Sequence, residues 1–166
     1  MSFPPSSPAY WSPPLPFGGA WWAVTRERRS KNKKPDKGQP TVAVGIVQKG
    51  KEVILVRRIK AEKGILWQFP AGMINPKRTA AETVVREVEE ETGVKCKVTS
   101  QIGEREHPDT GTVLAYFHCQ YVSGTVQNGD PKENAEVAWV KASEVQNLIT
   151  SDLFSAVKGL LSAIDE

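Results

Sequence analysis

A short helical segment bracketed by glycines constrains this chain more than any other feature of its 166 residues. The segment GMINPKRTAAETVVREVEEETGV occupies residues 72–94. Thr79 and Glu82 have the spacing of a helix-capping box, and Gly93 is suited to end the helix that follows. Apolar residues at four-residue steps give that helix a face for packing. The segment therefore predicts one well-delimited amphipathic helix in the middle of the chain.

Three glutamates lie together on this helix. Glu87, Glu90 and Glu91 occupy positions i, i+3 and i+4, so their carboxylates gather on one face. Like charges at this spacing cost roughly 0.2–0.5 kcal/mol per pair, and a bound divalent cation offsets that cost. Ligands that are all oxygen favour Mg²⁺ or Mn²⁺ over zinc. The alternative is a solvated acidic face, against which Arg86 and the flanking glycines argue.

The rest of the sequence predicts mainly strands. Residues 41–48 predict a half-buried strand on which Gly45 permits close approach, and residues 52–59 predict its hairpin partner. Further strands are predicted at 94–103, 112–122 and 136–140. A short helix capped by Ser143 and an amphipathic helix at 152–164 are predicted to follow. This order predicts an α+β fold, an α/β/α sandwich around a mixed sheet.

The first forty residues differ in composition from the rest. They hold eight of the twelve prolines and a net charge of +5, which leaves −2 for residues 41–166. Proline at this density, without helical or strand periodicity, predicts a disordered tail before a single domain at 41–166. The basic run RERRSKNKK offers nucleic acid a contact, but a solvated charge run is the favoured interpretation.

Export and membrane insertion are not expected. The N-terminus lacks the pattern of a secretory signal, and no apolar run approaches the roughly 18 residues of a membrane span. The two cysteines, Cys96 and Cys119, form no CxxC pair, which fits a reducing compartment. We therefore expect a cytoplasmic protein. The oligomeric state is not predicted.

Residues 72–94 resemble the signature of the Nudix hydrolases, G-x5-E-x7-R-E-U-x-E-E-x-G-U, in which U is a bulky aliphatic residue. The matching positions are Gly72, Arg86, Glu87, Val88, Glu90, Glu91, Gly93 and Val94. The preceding run LWQFPAG is similar to the sequence that leads into the family's loop and helix. The resemblance covers about residues 41–150 and implies a Nudix-type sandwich.

One position departs from the family pattern. Arg78 stands where the signature has its first glutamate, a residue thought to orient the motif arginine in the family. Glu82 lies four residues before Arg86 on the helix, so we expect it to pair with Arg86 and to accept Arg78 as well. With this substitute, activity is expected to survive.

The resemblance implies hydrolysis of a diphosphate bridge with the help of Mg²⁺ or Mn²⁺. Glu90 and Glu91 would be the main metal ligands, Glu87 a further ligand or the base, and the Ala71 carbonyl would complete the ligand set. Arg86 would hold the carboxylates in place. Some family members use another acid from a later loop, for which Glu133 and Glu136 are candidates, although ordinary surface positions are the more frequent case.

Substrate contacts are less well specified by the sequence. Arg57 and Arg58 adjoin on a strand and therefore point to opposite faces, where one could steady a phosphate; exposed strand-end positions are the alternative. Phe69 or Trp67 could stack on a base or belong to the core. Asn134 could read a base edge or cap a loop.

Three functions remain open at this point. A compact domain favours a MutT-like hydrolase that converts a nucleoside triphosphate, ribo- or deoxyribo-, to monophosphate and pyrophosphate. A pyrophosphatase for ADP-ribose or another nucleotide sugar is the alternative. Because of Arg78, a non-catalytic nucleotide-binding or regulatory module on the same scaffold is the third.

Overall fold

The computed structural model describes residues 38–62 and 64–166. Within these residues seven strands form one sheet: β1 Val42–Lys49, β2 Glu52–Glu62, β3 Ile65–Gln68, β4 Ala71–Met73, β5 Lys95–Glu106, β6 Val113–Ser123 and β7 Asn134–Lys141. The helical elements are α1 Ala80–Thr92, a 3-10 turn Ala142–Glu144, α2 Val145–Leu148 and α3 Ser155–Asp165. Apart from positions 38–40, the predicted tail lies outside the described residues.

The sheet is mixed, as the sequence predicts. Its main path runs β3-β2-β1-β6-β5, while β4 pairs with β1 and β7 with β2. The β1–β2 pair is the expected antiparallel hairpin, and β1 runs parallel to β6 with Val42 opposite Leu114. Helices cover the sheet, so the predicted α+β class is confirmed.

Strand β1 lies at the centre and is buried on both faces, so the prediction of a half-buried strand was wrong. Val44 and its alternate neighbours belong to the core beneath α3, whereas Val47 packs in the core beneath α1. Sequence alternation missed this because the small residues of β1 also face a helix. A Cβ on Gly45 would lie 2.9 Å from Val84 Cγ1, which confirms the expected close approach.

The C-terminal elements begin later than predicted. Ser143 caps no helix: it lies within the 3-10 turn, and α2 has no side-chain cap. The last helix starts at Ser155 rather than at residue 152, because Leu153 and Phe154 pack against the core before the helix begins. No helix within the described residues is long and apolar enough to cross a membrane.

Candidate active site

Helix α1 positions the three glutamates and is delimited as predicted. Glu82 N–H donates to Thr79 Oγ1 at 3.2 Å, and Thr79 N–H donates to Glu82 Oε2 at 2.8 Å, which completes the capping box. Gly93 ends the helix with a left-handed φ of 72°, and its N–H bonds to Glu89 O. Both ends are therefore set by local hydrogen bonds, which fix the carboxylate-bearing face.

The predicted pairing of Glu82 with Arg86 was wrong. The Glu82 carboxylate is engaged by Thr79, whose hydrogen bonds lower the pKa of Glu82, and the nearby Arg78 guanidinium lowers it further. Arg86 instead contacts Glu87, with Nη2 to Oε1 at 2.8 Å, and Glu90, with Nη1 to Oε1 at 3.7 Å. Arg86 therefore has its partners on the acidic face itself.

The three carboxylates differ in burial. Glu90 is 37% exposed, Glu87 is 16% exposed, and Glu91 is buried. Glu87 lies against Gly72, where a Cβ would overlap its carboxylate, so the first glycine of the signature makes room for this side chain. Burial raises the pKa of Glu87, an effect that Arg86 opposes.

Burial also raises the pKa of Glu91 well above its usual range. The neighbouring Glu87 charge and Asp130 raise this pKa further, while the Ala71 backbone N–H and Arg58 oppose the rise. Glu91 Oε2 has no hydrogen-bond partner. Glu91 is thus a buried acid whose ionised form needs positive charge nearby.

Asp130 lies close enough to Glu91 to affect its pKa, although no sequence motif selects it. Its Oδ2 is buried without a hydrogen-bond partner, as are Arg58 Nε and Asn134 Oδ1. The Asn134 N–H donates to Asp130 O at 2.9 Å. Asn134, the residue predicted to contact a base edge or to cap a loop, therefore adjoins this acid. Asn134 is itself buried at the start of β7. Asp130 is therefore the acid from outside α1 whose charge acts on Glu91.

A loop docked on the end of α1 brings Asp130 to this position. We call residues 124–133 the docking loop. Gln127 N–H donates to Thr92 O and Gly129 N–H to Glu91 O, each at 3.0 Å. A Cβ on Gly129 would overlap Glu90 O. The close backbone approach therefore depends on a glycine at this position.

The two candidate acids from the later part of the chain contact arginines. Arg58 Nη2 lies 3.0 Å from Glu133 Oε2, and Arg57 Nε lies 3.1 Å from Glu136 Oε2. Arg58 is buried, so the exposed strand-end alternative was wrong for this residue, while Arg57 is 38% exposed in its side chain. The first pair links β2 to the end of the loop that precedes β7, and the second links β2 to β7 itself.

The donor set fits a hard divalent cation. Its ligand atoms are all oxygens, and Glu91 Oε2 and Asp130 Oδ2 are buried acceptors without donors. In the described part of the chain, no three His, Cys, Asp or Glu side chains converge as a metal-binding cluster, so metal binding by these acids stays a prediction. Arg86 balances the charge of Glu87 and Glu90 in this arrangement. Ala71 lies in β4, which pairs with β1. Ligation of a metal by the Ala71 carbonyl oxygen stays a prediction.

Phe69 is buried and, with Trp67, lines a cavity on the face of the sheet that carries α3. The cavity also includes Ala71, whose backbone N–H contacts Glu91. The core alternative is thus confirmed for Phe69, while stacking of Phe69 or Trp67 on a base stays a prediction.

Comparison with known proteins agrees with this geometry. The chain is 34% identical over 102 residues to an ADP-ribose pyrophosphatase of Methanocaldococcus jannaschii, covering 58% of this chain and 60% of that protein. It is 29% identical over 150 residues to a putative mutator protein MutT4 of Mycobacterium tuberculosis, covering 78% of this chain and 60% of that protein. This chain thus spans less than two thirds of either relative.

A solved NUDIX hydrolase from Nitrosomonas europaea has the same fold, with a TM-score of 0.63 at 21% identity over 75% of this chain and 72% of that one. The family model of the NUDIX domain matches residues 37–157, which include the whole sheet and α1. The chain therefore belongs to the NUDIX family.

Proposed function

We propose that this chain hydrolyses the diphosphate bridge of a nucleoside diphosphate derivative, with a nucleoside triphosphate as the preferred substrate. The products are a nucleoside monophosphate and pyrophosphate. The observation that carries this proposal is the buried, unpaired Oε2 of Glu91 beside Asp130, on the helix face that also holds Glu87 and Glu90. Family membership supports the reaction class.

Glu90 and Glu91 would hold Mg²⁺, and Asp130, whose charge acts on Glu91, would supply a further oxygen. When bound, the ion neutralises charge on the phosphate oxygens and makes a bound water more acidic. Burial disfavours the ionised form of Glu87, and this raised pKa suits a base that accepts a proton from water near neutral pH. Water oxygen bonds to one phosphorus, the bridging P–O bond breaks, and pyrophosphate leaves.

The arginines orient and balance this arrangement. Arg86 contacts Glu87 and Glu90 together, so it fixes the two carboxylates relative to each other. Arg58 lies close enough to Glu91 to lower its pKa, and its buried Nε has no acceptor. We infer that Arg58 directs positive charge toward the substrate phosphates.

ADP-ribose is the second candidate substrate. The relative named ADP-ribose pyrophosphatase is more similar per aligned residue than the mutator protein, at 34% against 29% identity. Hydrolysis of ADP-ribose would release AMP and ribose 5-phosphate without pyrophosphate. The products therefore distinguish the two candidates.

Replacing Glu90 tests the proposal. The purified chain is incubated with Mg²⁺ and a panel of nucleoside triphosphates and ADP-ribose, and the products are separated and quantified. Glu90→Gln should lower kcat by on the order of 100-fold or more, because it removes a charged ligand. Glu89→Gln is the matched control, since the Glu89 side chain is half exposed and pairs with Lys95 at 3.8 Å. Equal rates for parent and Glu90→Gln would refute the assignment.

A further inference from the structure

Two consecutive arginines of β2 each pair with a different glutamate. Arg57 pairs with Glu136 of β7 at the surface, where the two side chains are 38% and 49% exposed. Arg58 pairs with Glu133, the last residue of the docking loop, and only 5% of the Arg58 side chain is exposed. A buried guanidinium needs a carboxylate partner, because an unpaired buried charge is costly. The second pair therefore holds a buried charge, whereas the first pair does not.

A second acid lies near the same guanidinium. Glu91 is close enough to Arg58 for the Arg58 charge to lower the Glu91 pKa. Glu91 Oε2 is a buried acceptor without a donor, and Arg58 Nε is a buried donor without an acceptor. Buried groups of opposite charge in one locality normally satisfy each other through a charge-assisted hydrogen bond. These two atoms make no such bond, so the Arg58 guanidinium is held back from Glu91.

Glu133 is fixed on both sides by its backbone. Its N–H donates to Asp130 O at 3.2 Å, and its carbonyl oxygen accepts the Ile59 N–H at 2.9 Å. Its carboxylate Oε2 lies 3.0 Å from Arg58 Nη2. Because Ile59 follows Arg58 in β2, the backbone and the side chain of Glu133 are bonded to the same short segment of that strand. Glu133 therefore restrains the guanidinium from a fixed position.

We propose that Glu133 is a positioning residue that holds Arg58 away from Glu91, so that the Glu91 carboxylate stays free for a divalent cation. The proposal rests on the proposed function, because it takes the acidic face of α1 as the metal site. Without the Glu133 charge, the guanidinium turns to Glu91 and places its positive charge where the cation binds. Like charges repel, so the affinity for metal falls.

Metal binding by the full chain tests this role without any substrate. The probe is Mn²⁺ alone, titrated at mildly alkaline pH, and the free ion is followed by electron paramagnetic resonance. Glu133→Gln should weaken Mn²⁺ binding about tenfold, the lower end of the roughly 10–100-fold effect of residues that orient metal ligands. Glu136→Gln is the matched control, because it removes the same charge from the neighbouring, exposed pair. This control should bind Mn²⁺ within about twofold of the parent.

Replacing Arg58 supplies the second half of the test. Arg58→Gln removes the competing charge, so it should bind Mn²⁺ at least as tightly as the parent. The double variant Arg58→Gln/Glu133→Gln should bind within about twofold of Arg58→Gln, because the loss of Glu133 matters only while the guanidinium is present. A role in folding alone would not be rescued in this way. Thermal melting identifies a variant that does not fold; if Glu133→Gln is one, the double variant against Arg58→Gln decides.

Three results would overturn the role of Glu133. They are a folded Glu133→Gln that binds Mn²⁺ as the parent does, a double variant that binds more weakly than Arg58→Gln, and a Glu136→Gln as weak as Glu133→Gln. A parent that binds no Mn²⁺ would overturn it as well.

The proposed function can fail separately. If the variants bind Mn²⁺ as expected but the parent hydrolyses no nucleotide, the role of Glu133 stands and the hydrolase proposal fails. If the parent hydrolyses a nucleotide while all the variants bind Mn²⁺ equally, the hydrolase proposal stands and the role of Glu133 fails.

Discussion

Replacing Gly129 tests how the docking loop is held on α1. The φ of Gly129 is not in the left-handed region, so Gly129→Ala adds steric overlap with Glu90 O without backbone strain. To relieve the overlap the loop must move away, which breaks the bonds from Gly129 N–H to Glu91 O and from Gln127 N–H to Thr92 O. At about 1 kcal/mol for each bond, the free energy of unfolding should fall by about 2 kcal/mol.

Urea unfolding followed by circular dichroism measures this change. Gly159→Ala is the matched control, because no atom lies within 4 Å of the added Cβ in α3. That control should gain about 0.5–1 kcal/mol, the helix-propensity difference between glycine and alanine. Gly129→Ala should also lower kcat, since Asp130 moves with the loop. A Gly129→Ala protein as stable as the parent would refute the contact described for this loop.

Two more predictions concern charge at the carboxylates. Because the folded-state pKa of Glu91 is raised, its stabilising contribution is present at acidic pH and is lost as pH rises through that pKa. In the presence of a chelator at mildly alkaline pH, Glu91→Gln should therefore have a higher melting temperature than the parent. This difference in melting temperature should shrink toward acidic pH. A difference that grows on acidification would contradict the reasoning. Arg78→Glu should change kcat/KM by less than about tenfold, because Arg86 already contacts Glu87 and Glu90; a hundredfold gain would show that Arg86 lacks a partner in the parent.

Local interactions explain what the sequence could predict. The bounds of α1 depend on Thr79, Glu82 and Gly93, all within one turn of the helix ends, so their spacing carries the information. The order of the five predicted strands and of the helices follows from periodicity in the same way, whereas the short strands β3 and β4 were not predicted. The acidic face required only helical geometry, because its three members lie on a single element.

Contacts between distant parts of the chain explain what the sequence missed. Arg58 is buried where it pairs with Glu133, which lies 75 residues away in the sequence. No local sequence pattern predicts a pair between residues so far apart. Asp130 reaches Glu91 only because the docking loop bonds to the end of α1. Several acids lie in this part of the chain, and the backbone path of the loop decides which one faces the helix.

The burial of Glu91 connects the stability of this fold with its proposed chemistry. Helix α1 presents Val84 and Val88 to the core, and Glu91 follows on the side that faces β4, so an ionisable group lies where an apolar one would be more stable. The nearby Arg58 and the Ala71 N–H only partly offset this cost. A cation bound there removes the remaining cost, so divalent metal should stabilise the parent against heat more than Glu91→Gln. We therefore expect stability to be lowest in the metal-free state, as for a site selected for ligand binding rather than for packing.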